Sequence, residues 1–243
     1  MKTDPIHAKN LAALMRRIRQ RSRFEPPEPL EPVTQMVLGF LQWNSTRRAA
    51  ETAHRRIMDV MVDNNDLRVS YDREIVSLIG EDYPWAEERV ARMREALNDI
   101  FRREHAVTLD PLAGKPKKEA RAYLESLSGM TPYVAAQVTL LCFGGHAIPV
   151  DDKLAALLID EQVVPAQDAT PQHVSSFLER HIKASDAVKA HFALQAWVDS
   201  TRRRLDATAA GAGMAEFAEA AAGPSATSPG RKKTTRTKVK RKK

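Results

Sequence analysis

Two short stretches of the sequence combine residue types that could hold an anion and stabilise a developing charge. The first is a tight polar turn formed by Ser128, Gly129, Met130 and Thr131. Because glycine tolerates positive φ, this turn can present backbone N–H groups at the start of the next helix, where phosphate binds readily. An ordinary corner between two core helices explains the same residues. The second stretch is centred on Asp151, which precedes an apolar segment and therefore fits a helix N-cap. In a pocket, its carboxylate could instead activate water or stabilise positive charge.

Helix signals on both sides position these residues. Thr131 is a favourable N-cap and Pro132 a favourable first helical residue, so a helix is predicted from Pro132 to Phe143. Gly144 and Gly145 end it in the usual way. A shorter helix from Lys117 to Ser126 leads into the turn, which predicts a helix–hairpin–helix unit at about residues 118–143.

Composition limits the fold and the chemistry. The chain has 243 residues, of which 43% are hydrophobic, and it lacks alternating strand patterns, so an all-α fold is predicted. Cys142 is the only cysteine, which excludes an intramolecular disulfide and any metal or iron–sulfur site built on several thiolates. We therefore predict no metal and no cofactor. No segment reaches the ~18 apolar residues of a membrane span, and the first residues do not form a signal peptide. We expect a soluble intracellular protein with no membrane partner.

The net charge of +7 is unevenly distributed. Residues 231–243 contain nine Lys or Arg and no acid, and residues 1–23 contain seven Lys or Arg and one acid. Subtracting +9 and +6 from +7 leaves −8 for residues 24–230. The two basic ends, rather than the acidic body, are expected to supply long-range attraction to a polyanion.

Composition also suggests the domain boundaries. A basic amphipathic helix occupies residues 1–24, and a proline-rich connector follows at 25–32. A helical domain at 33–206 precedes a low-complexity segment that becomes basic, at 207–243. The basic residues of this tail can neutralise DNA phosphates without sequence preference: Arg231, Lys232, Lys233, Arg236, Lys238, Lys240, Arg241, Lys242 and Lys243. A tail for solubility or localisation is the alternative.

The central helices are predicted from apolar periodicity. Ser45 or Thr46 caps a helix that runs to Val62 with Val60 inward, and a polar turn follows at residues 63–66. A long helix follows Trp85, and its arginines, Arg89 among them, are expected to form a solvated, ion-paired outer face.

The order of these segments resembles the helix–hairpin–helix DNA glycosylase superfamily, in particular its endonuclease III-like branch. The hairpin and its second helix match as LSGMTPYVAAQVTLLCFGG, and IPVDD matches the valine–aspartate before the following helix. Leu41 to Ser45 and Ile79 to Arg89 resemble two further family segments. The resemblance covers about Pro29 to Val198, most of the predicted ordered chain.

The resemblance assigns roles and also shows departures. It implies that Asp151 is the catalytic carboxylate, that the turn at residues 128–131 binds the DNA backbone, and that pocket or wedge positions fall at Gln42, Trp43 and Tyr133. Tyr133 stands where bifunctional members carry their Schiff-base lysine. A tyrosine cannot form the imine, so no lyase activity by that route is expected. Thr131 replaces a family glycine, Pro132 removes an N–H, and the cluster cysteines are absent.

These observations predict a monofunctional DNA N-glycosylase of base excision repair. In this hypothesis Asp151 stabilises the oxocarbenium-like sugar or orients water, and the carboxylate faces an open cleft shared with the hairpin. A DNA-binding module without catalysis on the same fold is the first alternative, and a helical protein-interaction domain is the second. Double-stranded DNA is the expected partner, and we expect a monomer in the cytoplasm, associated with the nucleoid.

Overall fold

The structure, a computed structural model, describes residues 5–21, 26–165, 167 and 170–201, and every regular element within these ranges is a helix. The helices are α1 (Pro5–Arg21), α2 (Pro32–Gln42), α3 (Arg47–Met58), α4 (Asn64–Val69), α5 (Asp72–Ile79), α6 (Ala86–Glu104), α7 (Lys117–Glu125), α8 (Pro132–Leu141), α9 (Asp152–Asp160), α10 (Pro171–His181) and α11, described over residues 187–201. Two short 3-10 turns lie at Asp110–Leu112 and Ala184–Asp186. The predicted all-α class is confirmed. The low-complexity segment and the basic tail lie outside the described residues.

Two hydrophobic cores share α8. One core is built from α2 to α8 and includes Val134 and Val138 of α8. The other is built from α1, α9, α10 and α11 and includes Ala136 and Leu140 from the opposite side of α8. A helix that is apolar on all sides must be buried on all sides, which is why α8 forms the wall between the two cores. We call the helices around each core a lobe. Residues at the start of α8 therefore lie close to both lobes.

Side-chain caps start the helices at the positions that the sequence indicates. Each cap is a threonine or aspartate whose oxygen accepts the N–H three residues further on, and this removes one unpaired donor at the helix start. These caps are Thr46 to Ala49 (3.2 Å), Thr131 to Val134 (3.3 Å), Asp151 to Leu154 (2.8 Å) and Thr170 to His173 (3.3 Å).

The segment after α3 differs from the sequence prediction. The helix ends at Met58, four residues early, and Val60 is 62% exposed rather than buried. The predicted polar turn at residues 63–66 instead starts α4, because the Asp63 carboxylate accepts the N–H groups of Asn65 and Asp66. A local capping bond thus overrides a stretch whose composition is typical of a turn.

The solvated position predicted for Arg89 on α6 is wrong. Arg89 is completely buried, and its guanidinium donates to the backbone carbonyls of Phe40 and Pro84. Burial lowers the pKa of Arg89, opposed by the charges of nearby groups. Its partners are carbonyl groups at the end of α2 and in the loop before α6. Arg89 therefore fixes the end of α2, from which the next loop leads toward Asp151.

None of the described helices is long and apolar enough to cross a bilayer. Within the same residues, no three His, Cys, Asp or Glu side chains are grouped so that they could hold a metal ion.

Candidate functional site

The hairpin between α7 and α8 packs tightly against α6. Gly129 has φ +75, a conformation that glycine adopts without strain. A Cβ on this residue would lie 2.4 Å from the carbonyl oxygen of Arg92 and 2.9 Å from the Cβ of Glu95. Both the backbone conformation and the close approach of the hairpin to α6 therefore require glycine at this position.

A carboxylate of α6 ties down the same hairpin. The N–H of Ser128 donates to Asp99 Oδ2 at 2.9 Å, and Arg103 donates to the same oxygen at 2.7 Å. Arg102 donates to Oδ1 at 3.1 Å. Burial alone would raise the pKa of Asp99, but the Ser128 bond and the two arginines lower it below its ordinary value. One hairpin N–H is thus bound to an ionised carboxylate.

The rest of the hairpin borders a cavity. Met130, Thr131 and Pro132 line a space of about 340 Å³ together with Arg121 of α7 and the first turn of α10. Thr131 Oγ1 caps α8. Within the described ranges, the N–H groups of Gly129 and Thr131 have no hydrogen-bond acceptor, and Thr131 is 4% exposed.

Asp151 lies at the N-terminus of α9 and is only 4% exposed. Its Oδ1 accepts the N–H of Leu154 at 2.8 Å, and its Oδ2 accepts the N–H of Asn44 at 3.2 Å. Burial raises the pKa of the Asp151 carboxyl above its ordinary value, and the charge of Asp152 adds to this rise. The two N–H bonds and the charge of Lys153 oppose it. The expected open cleft is absent at this carboxylate, which is a buried N-cap.

Asn44, which the sequence prediction did not identify, binds three consecutive residues at the start of α9. Its N–H reaches Asp151, its Nδ2 donates to Asp152 Oδ2 at 2.8 Å, and its carbonyl accepts from Lys153 Nζ at 2.6 Å. These bonds join the loop after α2 in one lobe to α9 in the other. The only sequence signal was an asparagine directly after the apolar helix, which is common at turns.

Tyr133, at the start of α8, lies in the interior with its hydroxyl next to Gln195. It is 3% exposed, and its hydroxyl lies 3.5 Å from Oε1 of Gln195, whose amide donates to Asp199 at 3.2 Å. Burial raises the pKa of Tyr133 well above its ordinary value, and the charges of Asp151 and Asp199 add to this effect. Two of the predicted site residues, Tyr133 and Asp151, are therefore close enough to interact electrostatically.

Gln42 and Trp43 end α2 and take different positions. Gln42 is buried, accepts a hydrogen bond from Gln137 at 3.0 Å, and lines a cavity of about 430 Å³ with His54 and Phe192. The Trp43 ring is half-buried and meets Trp85 edge-on at 5.3 Å between centroids. The structure thus brings Gln42, Tyr133 and Asp151 to the junction of the two lobes. The Trp43 ring instead packs on Trp85 and on α6 within the first lobe, and the hairpin turn also packs on α6.

No protein-family model matches the sequence, and no curated protein matches it. Solved structures do resemble it. A trapped endonuclease III–DNA covalent intermediate superposes with a TM-score of 0.60 at 14% identity, over 77% of this chain and 84% of that chain. A thermostable thymine-DNA glycosylase gives 0.56 at 15% identity, over 80% and 87% of the two chains.

A third match extends over nearly the whole chain of the other protein. The H. pylori 3-methyladenine DNA glycosylase bound to 1,N6-ethenoadenine gives a TM-score of 0.57 at 12% identity, over 81% of this chain and 96% of that chain. At such low sequence identity the structural similarity shows the fold alone, and the activity has to be inferred from the site. The chain therefore has the all-helical fold of the endonuclease III-like helix–hairpin–helix DNA glycosylases.

Proposed function

We propose that this protein is a monofunctional DNA N-glycosylase, which hydrolyses the N-glycosidic bond of one damaged or mismatched base flipped out of duplex DNA. The observation that carries the proposal is Asp151, a carboxylate buried at the junction of the two lobes and oriented by two backbone N–H groups. Such fixed orientation at low dielectric is what a group that stabilises transition-state charge needs.

Asp151 would act as the base departs. The deoxyribose ring then carries positive charge, and a nearby carboxylate stabilises that charge or accepts a proton from the attacking water. Because burial raises the pKa of Asp151, its ionised form is a stronger base than an exposed aspartate. The Leu154 and Asn44 N–H groups nonetheless favour the ionised form, so the site supports either role.

The residue at Tyr133 supports hydrolysis without a lyase step. An imine with the sugar requires an amine, and a phenol cannot form one. Burial and two neighbouring carboxylates raise the pKa of Tyr133, so it remains a neutral hydroxyl near Asp151.

The 430 Å³ cavity beside α2 is the candidate pocket for the flipped base. Its walls combine apolar side chains with three amides, one imidazole and four charged groups, which belong to Gln35, Gln42, Gln137, His54, Glu28, Arg47, Glu51 and Arg55. In this proposal the apolar side chains would contact the faces of a base, and the polar groups would hydrogen-bond its edge. Trp43 lies next to Gln42 and is the candidate wedge that fills the space left in the duplex.

Phosphate contacts would come from the hairpin and the tail. The N–H groups of Gly129 and Thr131 suit one backbone phosphate, and the nine basic residues at 231–243 add attraction without sequence preference. Binding that depends on such a tail weakens steeply with salt.

Base release from modified duplexes tests the proposal. The protein is incubated with duplexes that carry uracil, mismatched thymine, alkylated or oxidised bases, and alkali then cleaves each abasic site. We expect Asp151→Asn to lower single-turnover release by about 100-fold or more, as for loss of a transition-state stabiliser. The control is Asp160→Asn, which removes an exposed carboxylate at the other end of α9. Activity retained in Asp151→Asn, or a covalent adduct trapped by borohydride, would contradict the mechanism.

A second candidate is DNA binding without catalysis. Two observations favour it: Asp151 is almost completely buried, and the Ser128 N–H is already bound to Asp99. Duplex binding with no base release from any substrate would support this alternative over the enzyme.

A further inference from the structure

Asn44 has the backbone conformation of a residue under constraint. Its φ is +54, in the left-handed region, and it is 3% exposed. Asparagine enters this region more readily than most residues, yet a non-glycine residue held there is strained. Within the described residues, its buried Oδ1 also has no hydrogen-bond partner. Both features make the observed arrangement around Asn44 costly to maintain.

The bonds of Asn44 offset that cost, and all of them reach α9. The loop after α2 is attached to the first residues of α9 through Asp151, Asp152 and Lys153. We define these three bonds as the Asn44 clasp. Because backbone strain and an unpaired oxygen oppose these bonds, the clasp is less stable than three hydrogen bonds alone would make it, and a competing interaction can open it.

The clasp controls one oxygen of Asp151. Oδ1 is held by Leu154 within the N-terminal turn of α9, whereas Oδ2 is held by Asn44 from the other lobe. Opening the clasp would free Oδ2 and leave the Oδ1 bond to orient the carboxylate. The carboxylate would then keep its direction while gaining a free lone pair for a substrate.

Trp43 is the neighbour that could open the clasp. It precedes Asn44 directly and is the C-cap of α2, so a displacement of the Trp43 backbone would also displace Asn44. Its ring is only half-buried and rests edge-on against Trp85, which is 50% exposed. Stacking between Trp43 and the bases of a duplex would compete with the bonds of the clasp.

We propose that Asn44 is a positioning residue that holds Asp151 Oδ2 until Trp43 inserts into the duplex, and that this insertion withdraws Asn44 and releases the oxygen toward the sugar. This inference rests on the proposed function, because it assigns Asn44 a part in base release. In this mechanism Asp151 Oδ2 becomes free only when Trp43 has inserted into a DNA duplex.

A double-mutant cycle in the full-length protein tests the coupling. Asp152→Ala removes the acceptor of the Asn44 side-chain bond, and it leaves the left-handed strain and the unpaired Oδ1 of Asn44 in place, so it weakens the clasp. Trp43→Ala removes the wedge, and we expect it to lower single-turnover release about tenfold. In the double variant Asp152→Ala should restore about threefold or more of that loss, since a weakened clasp no longer needs the wedge to open it. A purely structural Asn44 predicts the opposite, a double variant slower than either single variant.

Amide hydrogen exchange gives a second test that does not depend on catalysis. We expect addition of a duplex with a tetrahydrofuran abasic site to accelerate exchange of the Asn44 amide while the Leu154 amide remains protected. Duplex binding with unchanged Asn44 exchange would overturn the inference and leave the proposed function standing. Failure to bind any duplex would overturn both.

Discussion

A buried histidine on α11 makes the stability of the fold depend on pH. His191 is 2% exposed, and its Nε2 has no hydrogen-bond partner among the described residues. Burial, followed by the positive charge of Arg47, lowers the pKa of His191 from 6.5 to about 4. Because the folded pKa lies below the unfolded one, the neutral imidazole contributes stability above pH 6.5, and this contribution is lost as pH falls toward 4.

The magnitude follows from the two pKa values. At about 1.4 kcal/mol for each pKa unit, the fall from 6.5 to about 4 corresponds to about 3 kcal/mol of unfolding free energy lost between pH 7 and pH 4. That loss is a large part of the stability of an ordinary domain, about 5–15 kcal/mol. His191 is therefore predicted to be a major contributor to acid unfolding.

Urea unfolding at a series of pH values from 7 to 4 measures this effect. We expect His191→Leu to lose much less unfolding free energy between pH 7 and pH 4 than the wild type, because leucine binds no proton. The exposed His173 provides the control, and His173→Gln should follow the wild-type curve. If His191→Leu and the wild type lose stability in parallel below pH 6, the reasoning about the buried imidazole is refuted.

Two further substitutions test how the site is supported, each by urea unfolding. Arg89→Met should cost about 3 kcal/mol or more, because it leaves the carbonyls of Phe40 and Pro84 buried without donors; Arg92→Met, on the exposed side of the same helix, should cost less than about 0.5 kcal/mol. Equal losses of stability in the two arginine variants would contradict the conclusion that Arg89 fixes the end of α2. Gly129→Ala should cost about 2 kcal/mol or more, because its Cβ meets backbone at a positive φ; Gly114→Ala, with open space around it, should be neutral or slightly stabilising. A well-tolerated Gly129→Ala would show that the hairpin can move away from α6.

The helix starts could be predicted from sequence because their causes are local. Thr46, Thr131 and Asp151 each cap a helix with an N–H three residues away, so residue type and spacing were sufficient. The apolar character of α8 on all its sides likewise indicated burial. Composition predicted the all-α class, and the resemblance of the ordered segments to a known family predicted the fold.

The partners of the site residues could not be predicted in the same way. Asn44 and Asp151 are 107 residues apart in the chain, and Arg89 and Phe40 are 49 apart. The helical spacing alone places Arg89 on the buried face of α6, three residues after Ala86 and four before Met93. Its acceptors could not be predicted, because they are main-chain oxygens that any residue supplies. Asp151 is buried because the loop after α2 in one lobe packs against the start of α9 in the other. The sequence around Asp151 alone therefore could not predict its burial.

Because the Ser128 N–H donates to Asp99 of α6, the hairpin is not an independent structural module. A motif whose loop is held by its own residues can be moved into another scaffold and keep its shape. Here the loop geometry is set by α6, through a carboxylate and the close contact at Gly129. A graft of residues 117–141 alone would lose that support. The transferable unit is the hairpin together with α6.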